Sequence, residues 1–210
     1  MKQKELLRIV GRMPVFPTGL LLSGETTPGR IRAQLSRWVR EGKVIRLRRG
    51  YYSLAEPYSV SRPSPFVVAN AMESGSYISC QSALAWHGLI PEAVPTVTSI
   101  TPGRPGMVTN DFGTFLYRHM KPFFLWGFRN ESGIDGWPVR IASPEKALLD
   151  LVYLEPGGDS PAYLEQLRLQ NTDILQSPVL SEFAARWDRP RMTRALAAIL
   201  ALLDAAKEDA

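Results

Sequence analysis

The sequence has few of the side chains that bind metals or form disulfides. Cys80 is the only cysteine, so no disulfide can form within the chain, which is typical of a protein from a reducing compartment. Two histidines and one cysteine are too few ligands for a zinc cluster. We therefore expect a cytoplasmic protein that works without a bound metal or cofactor.

Long apolar runs are also missing. The longest, from Ala195 to Leu203, has nine residues, which is too short to cross a bilayer. The first residues are polar and do not have the pattern of a secretory signal peptide. We expect no membrane partner.

Motifs of catalysis are equally scarce. The glycines match no phosphate-binding loop, and no serine lies in a Gly-x-Ser-x-Gly turn, although a triad of Ser82, His87 and Asp150 is conceivable. The Glu41-Gly42-Lys43 segment matches the Glu-x-Lys of many nucleases, but a helix end and a basic strand explain it better. We expect no enzyme, and a metal-dependent nuclease is the minor alternative.

Positive charge is concentrated at one end of the chain. Residues 1–58 contain 12 lysines or arginines and four glutamates, a net charge of +8, whereas residues 59–210 contain 13 basic and 16 acidic residues, a net charge of −3. These sum to the net +5 of the whole chain. The distribution predicts that the first region alone contacts a polyanion.

This basic region shows the order of elements that a winged helix-turn-helix requires. Apolar residues at helical spacing predict a first helix over residues 2–12 and a short second helix over 18–23. Thr27 is the predicted N-cap of a third helix that runs to residue 41 and ends before Gly42.

The third helix has the pattern of a recognition helix. Its apolar residues cluster on one side, and small and basic residues lie opposite, which suits entry into the major groove. The apolar residues are Ile31, Leu35, Trp38 and Val39, and the opposite face holds Arg30, Ala33, Arg37 and Arg40 beside Ser36. The residues predicted to contact DNA from this helix are Thr27, Arg30, Gln34, Arg37 and Arg40.

Residues 43–54 are predicted to form a basic β-hairpin, the wing. Apolar and basic residues are interleaved, and Arg49-Gly50 is the turn. We expect Arg46, Arg48 and Arg49 to hold the DNA backbone beside the recognition helix.

After a proline-rich linker at residues 56–65, the sequence predicts a mixed α+β domain, here residues 59–210, with a helical extension from about residue 160. The fold class is therefore α+β in two domains. Predicted strands cover Tyr77–Ile78, Val97–Ile100, Gly113–Arg118, Phe123–Phe128 and Trp137–Ile141, with a turn over 130–136. Predicted helices cover 65–73, 79–87, a segment from Ser143, 162–170, 179–187 and 191–206.

Three segments in roughly the first 155 residues carry a family resemblance. They are Arg48-Arg49-Gly50-Tyr51-Tyr52, the stretch from Tyr77 to Pro91 with its Ser-Ala-Leu and His-Gly-Leu segments, and Val139 to Asp150 with Ser-Pro-Glu-Lys-Ala-Leu. In this combination the chain resembles the AbiEi-type antitoxins and transcriptional regulators of type IV toxin–antitoxin systems.

The resemblance implies a function beyond what composition indicates. It implies a winged helix that binds the protein's own promoter, at inverted repeats, and represses it. It also implies a second domain that counteracts a nucleotidyltransferase-like toxin encoded next door, without a stable complex. The alternative is a stand-alone regulator whose second domain senses a ligand or mediates assembly, and an adjacent nucleotidyltransferase gene would favour the antitoxin.

Overall fold

Two β-sheets, each with its own helices, make up the structure. The computed structural model of the chain describes residues 3–11, 13–22, 27–133 and 135–208. Within these ranges it contains eight α-helices and nine strands, so the predicted α+β fold class is confirmed. The predicted helix ends at residues 2, 12, 23 and 24 lie outside the described residues.

We name the described residues up to 58 the N-terminal unit. Its elements are α1 (Gln3–Val10), β1 (Phe16–Pro17), a 3₁₀ helix (Thr18–Leu22), α2 (Pro28–Arg40), β2 (Val44–Arg48) and β3 (Tyr51–Leu54). The strands form the smaller sheet, which is antiparallel and has the order β1-β3-β2. On α2, Ile31, Leu35 and Trp38 recur at helical spacing and are buried together.

We name the described residues from 59 onward the sheet unit. Its strands are β4 (Tyr77–Ile78), β5 (Thr96–Thr101), β6 (Gly106–Asn110), β7 (Gly113–His119), β8 (Phe128–Ser132) and β9 (Pro138–Ala142). They form the larger sheet in the order β6-β7-β5-β4-β9-β8, with β5-β7 and β4-β9 parallel and the other pairs antiparallel. The α-helices of this unit are α3 (Pro65–Met72), α4 (Cys80–Trp86), α5 (Pro144–Leu154), α6 (Pro161–Gln166), α7 (Ser177–Ala185) and α8 (Pro190–Glu208).

Helices cover the larger sheet in layers. Helix α3 packs on β5 and β9, α4 packs on β5 and α5, and α5 contacts α7 and α8. Side chains of α8 are buried in the same core as the sheet, so the last helix packs on its own unit. These side chains are Met192, Ala195, Ile199 and Leu203. In the described ranges, no helix combines the length and the apolar character needed to span a membrane.

The two units meet at strand β2. Leu47 and Val15 are buried in the larger core although they belong to the N-terminal unit. A β-bulge between Arg46 and Arg48 adds Leu47 to the strand. The side-chain amide of Asn110 on β6 donates through Nδ2 to the Leu47 carbonyl at 3.0 Å. The hairpin is therefore fastened to the sheet unit at its bulge.

The middle of the chain differs from the prediction. The strand predicted over Phe123–Phe128 is wrong, since Pro122–Phe124 forms a 3₁₀ turn and β8 begins only at Phe128. Pro122 favours a helical start, and Gly127 has a left-handed backbone (φ +70°) that no extended strand accepts.

The predicted turn over 130–136 is too long, because residues 130–132 pair with β9. Strand β6 was not predicted, since its exposed edge position leaves little apolar pattern.

Candidate nucleic-acid interface

Helix α2 presents its basic face to solvent. Arg30, Arg37 and Arg40 are exposed, Gln34 is half-buried, and the small side chains Ala33 and Ser36 are exposed with them. Burial of Ile31, Leu35 and Trp38 fixes this orientation, because the opposite side of the helix must then face outward. The helix has the shape and charge to approach a polyanion closely.

Thr27 is the N-cap residue of α2, as predicted, but its side chain does not cap the helix. Its backbone is extended (φ −65°, ψ 144°), and its side chain forms no cap hydrogen bond with the described residues. Pro28 at the first helical position supplies the favourable start instead. The exposed Thr27 hydroxyl is therefore available to a partner.

The β2-β3 hairpin is held firmly beside α2. The Gly50 carbonyl accepts hydrogen bonds from the Thr18 amide at 2.8 Å and from the Thr18 hydroxyl at 3.2 Å. Gly50 has a positive φ (+85°), which the tight turn requires. Arg46 on β2 and Arg49 in the turn are both exposed on this hairpin.

Arg48 departs from the predicted arrangement. The bulge turns it toward the sheet unit, where its Nη1 donates to Glu73 Oε2 at 3.0 Å and its guanidinium lies 4.7 Å from the Tyr51 ring centroid. Glu73 also accepts from the Thr101 hydroxyl at 3.2 Å. Arg48 therefore joins the two units, and its charge is already compensated.

A groove of about 510 Å³ separates α2 from the hairpin. It brings Arg46 and Arg49 of the hairpin together with Arg32 of α2, an exposed residue that the sequence did not single out. Arg32 and Ser36 are four residues apart and lie on the same face of α2. The helical spacing together with the predicted hairpin next to this face could therefore have identified Arg32. The groove is lined by Thr18, Leu22, Arg32, Ser36, Arg46, Arg49, Gly50 and Tyr52.

The exposed arginines of α2 and of the hairpin lack acidic partners. Within the described residues, no carboxylate lies within ion-pair distance of the six exposed arginines Arg30, Arg32, Arg37, Arg40, Arg46 and Arg49. The nearby Glu41 is paired with Lys43 at 2.8 Å. That hydrogen bond lowers the pKa of Glu41, and Arg37 and Arg40 contribute smaller electrostatic effects. We name these six residues the arginine surface.

Asp150 in the sheet unit is at the centre of a buried polar cluster that sequence reasoning missed. Its carboxylate accepts from the Tyr77 hydroxyl at 2.9 Å and the Ser79 hydroxyl at 2.7 Å, and it pairs with Lys146 one helical turn earlier. Burial raises the pKa of the Asp150 carboxyl, and Lys146 opposes that shift. The i,i+4 spacing of Lys146 and Asp150 was the available signal, but such pairs are usually exposed.

The Lys146 ammonium is enclosed by aromatic rings. Its Nζ donates to the Phe124 carbonyl at 3.1 Å and lies 4.5 Å from the ring centroids of both Trp126 and Trp187. Burial lowers the pKa of Lys146. Gly127 packs so closely that a Cβ there would lie 3.0 Å from Lys146 Cγ. This buried cluster is structural, and it connects α5 to Trp187, just after the end of α7.

The residues considered for catalysis are engaged elsewhere. His87 Nε2 forms a 2.8 Å hydrogen bond with the Ala142 carbonyl. The Ser82 hydroxyl accepts from the Thr98 amide at 2.8 Å, and Asp150 belongs to the buried cluster, so these three do not form a triad. Among the described residues, no three His, Cys, Asp or Glu side chains come together in a group that could hold a metal ion.

Known proteins add no assignment to this geometry. The chain matches no model of a known protein family and no curated protein sequence.

Proposed function

We propose that the N-terminal unit is a winged helix-turn-helix that binds double-stranded DNA. The observation that carries the proposal is the arginine surface, six exposed guanidinium groups of α2 and the hairpin without ion-pair partners among the described residues. Three of them, Arg32, Arg46 and Arg49, line one groove. Like charges held close together repel one another, and a row of phosphates relieves that repulsion while releasing counterions.

In this proposal α2 enters the major groove. Ala33 and Ser36 are small enough to let its backbone approach the bases, and Arg37 and Arg40 project from the same exposed side. A guanidinium reads guanine through two parallel hydrogen bonds, so these arginines are the candidates for sequence reading. Arg46 and Arg49 on the anchored hairpin then hold the flanking phosphates.

We further propose that the chain is an antitoxin that represses its own operon. This rests on the resemblance to AbiEi-type regulators, which implies an operator of inverted repeats in its own promoter and a nucleotidyltransferase-like toxin that it counteracts without a stable complex. The antitoxin role predicts that co-expression of this chain rescues cells from the toxin of an adjacent gene. Growth arrest that persists despite full expression would contradict it.

The DNA-binding proposal is tested by a gel-shift titration against the chain's own upstream DNA, with unrelated DNA as competitor and salt varied. We expect preferential binding, with log affinity falling linearly in log salt by about 0.9 per phosphate contact. Changing Arg46 and Arg49 to Ala should weaken binding to all sequences and flatten that slope by about 1.8 if each holds one phosphate.

Arg189→Ala is the matched control, because Arg189 is exposed in the sheet unit, far along the chain from the arginine surface. This variant should bind DNA like the unaltered protein. A salt-independent affinity, or equal losses in the control and the hairpin variant, would contradict DNA binding by this surface.

A further inference from the structure

A second cavity, of about 270 Å³, lies between α3, the β8-β9 edge of the sheet and the segment before β1. Its walls combine apolar rings with hydrogen-bond donors. It is lined by Pro14, Val67, Asn70, Ala71, Asn130, Trp137, Pro138 and Arg140. Such a mixture, mostly apolar with a few convergent polar groups, is typical of small-molecule sites.

Asn70 forms part of the cavity wall and bonds to β9 there. The residue is only 9% exposed, and its Oδ1 accepts from the Arg140 backbone amide at 2.7 Å. That bond fixes the orientation of the side chain. Its Nδ2 is buried without a hydrogen-bond partner among the described residues and has less than 1 Å² of accessible surface, so a ligand must find its polar contacts on other side chains of the cavity.

Arg140 supplies an uncompensated positive charge beside it. The side chain is half-buried, yet no carboxylate of the described residues pairs with its guanidinium. Burial lowers the pKa of Arg140, which reflects the cost of keeping a desolvated cation. Asn130, its cross-strand partner, adds a second side-chain amide on the same face of the sheet.

We propose that this cavity binds a small organic anion, a carboxylate or phosphate carried on a compact apolar body. The Arg140 guanidinium pairs with the anion, and the side-chain amide of Asn130 donates to one of its oxygens. Trp137, Pro138 and Val67 pack against the apolar part. The site is distinct from the arginine surface, because no arginine of that surface lines this cavity.

The cavity also touches both units. Pro14 belongs to the N-terminal unit, and its carbonyl accepts from the Ser53 hydroxyl of β3 at 2.8 Å. A ligand in the cavity would therefore contact a residue that is hydrogen-bonded to β3 of the hairpin. This position suits a regulator whose second domain senses a small molecule.

The test titrates the full chain with benzoate and phenyl phosphate, and with neutral benzamide as the comparison, by calorimetry in the absence of DNA. We expect saturable binding of at least one anion and weaker binding of benzamide. The anion with the higher affinity identifies the head group. Absence of saturable binding by both anions, or equal binding of benzamide, would overturn the proposal, whether or not the chain binds DNA.

Two variants locate the binding. Arg140→Gln removes the unpaired, half-buried charge, so affinity for the anion should fall about tenfold or more without a loss of thermal stability. Arg129→Gln is the matched control, since exposed Arg129 on β8 pairs with Glu131 instead, and it should leave affinity unchanged. Equal affinity in Arg140→Gln and the control would overturn the assignment.

Discussion

In the N-terminal unit, six exposed arginines have no carboxylate partner among the described residues, whereas in the sheet unit several arginines are paired. Arg118 pairs with Glu155, Arg168 with Glu92, and Arg194 with Asp159. Pairing a surface cation with an acid removes most of its attraction for a distant polyanion. The difference indicates that unpaired positive charge is concentrated in the first unit, while these three pairs of the second unit connect parts of its own fold.

The cores differ in the same sense. The N-terminal core is small and apolar, and it depends on two of its own residues, Val15 and Leu47, reaching into the larger core. The sheet unit buries a complete ion pair, Lys146–Asp150, together with the hydroxyls that satisfy it. Stability should therefore be concentrated in the sheet unit and binding in the N-terminal unit.

The largest expected effect follows from breaking the buried pair. Lys146→Met leaves the Asp150 carboxylate buried without its cation, and the free energy of unfolding should fall by about 3–5 kcal/mol in urea denaturation. DNA affinity should not change at temperatures where the variant is folded, because the arginine surface is not altered.

Two further variants sharpen that result. Lys121→Met removes an exposed lysine near the same region and should change stability by less than about 0.5 kcal/mol. The double change Lys146→Met with Asp150→Leu should recover part of the loss, because no unpaired charge remains, although Tyr77 and Ser79 lose their acceptor. A single Lys146→Met variant as stable as Lys121→Met would contradict the structural role of the pair.

The next effect concerns binding alone. Arg37→Ala should weaken binding to the specific site by about 1–3 kcal/mol and relax the preference at one base position, if Arg37 pairs with guanine through two hydrogen bonds. Its thermal stability should stay within the range of a surface substitution. Selection of binding sites from random DNA measures the change, and an unaltered preference at every position would remove Arg37 from the reading residues.

Sequence reasoning succeeded where one regular period decides which side of an element is buried. On α2, a spacing of 3.6 residues per turn correctly separated buried Ile31 and Leu35 from exposed Arg30 and Arg37. It failed at irregularities. The bulge at Leu47 shifts the alternation of exposed and buried side chains along β2, so that Arg48 faces the sheet unit. The sequence alone does not distinguish Arg48 from the exposed basic residues of the hairpin.

The polar interior was out of reach for a different reason. Lys146 and Asp150 look like an ordinary surface pair until the aromatic rings of Trp126 and Trp187 arrive from distant parts of the chain. The cavity at Asn70 and Arg140 likewise depends on two residues 70 positions apart. No local sequence pattern predicts these contacts, because only tertiary packing brings the segments together.

The smallest expected effect distinguishes two neighbouring arginines of the hairpin. Arg48 is bonded to Glu73, while Arg49 is exposed and unpaired among the described residues, so only Arg49 has a free charge for phosphate. In a double-mutant cycle for stability, Arg48→Ala and Glu73→Gln should show a coupling of about 0.5–1 kcal/mol, and Arg49→Ala with Glu73→Gln should show none.

In DNA titrations, Arg49→Ala should flatten the salt slope by about 0.9, whereas Arg48→Ala should leave it unchanged. If Arg48→Ala flattens the slope as much as Arg49→Ala, the Glu73 pair opens on DNA, and Arg48 belongs to the arginine surface after all.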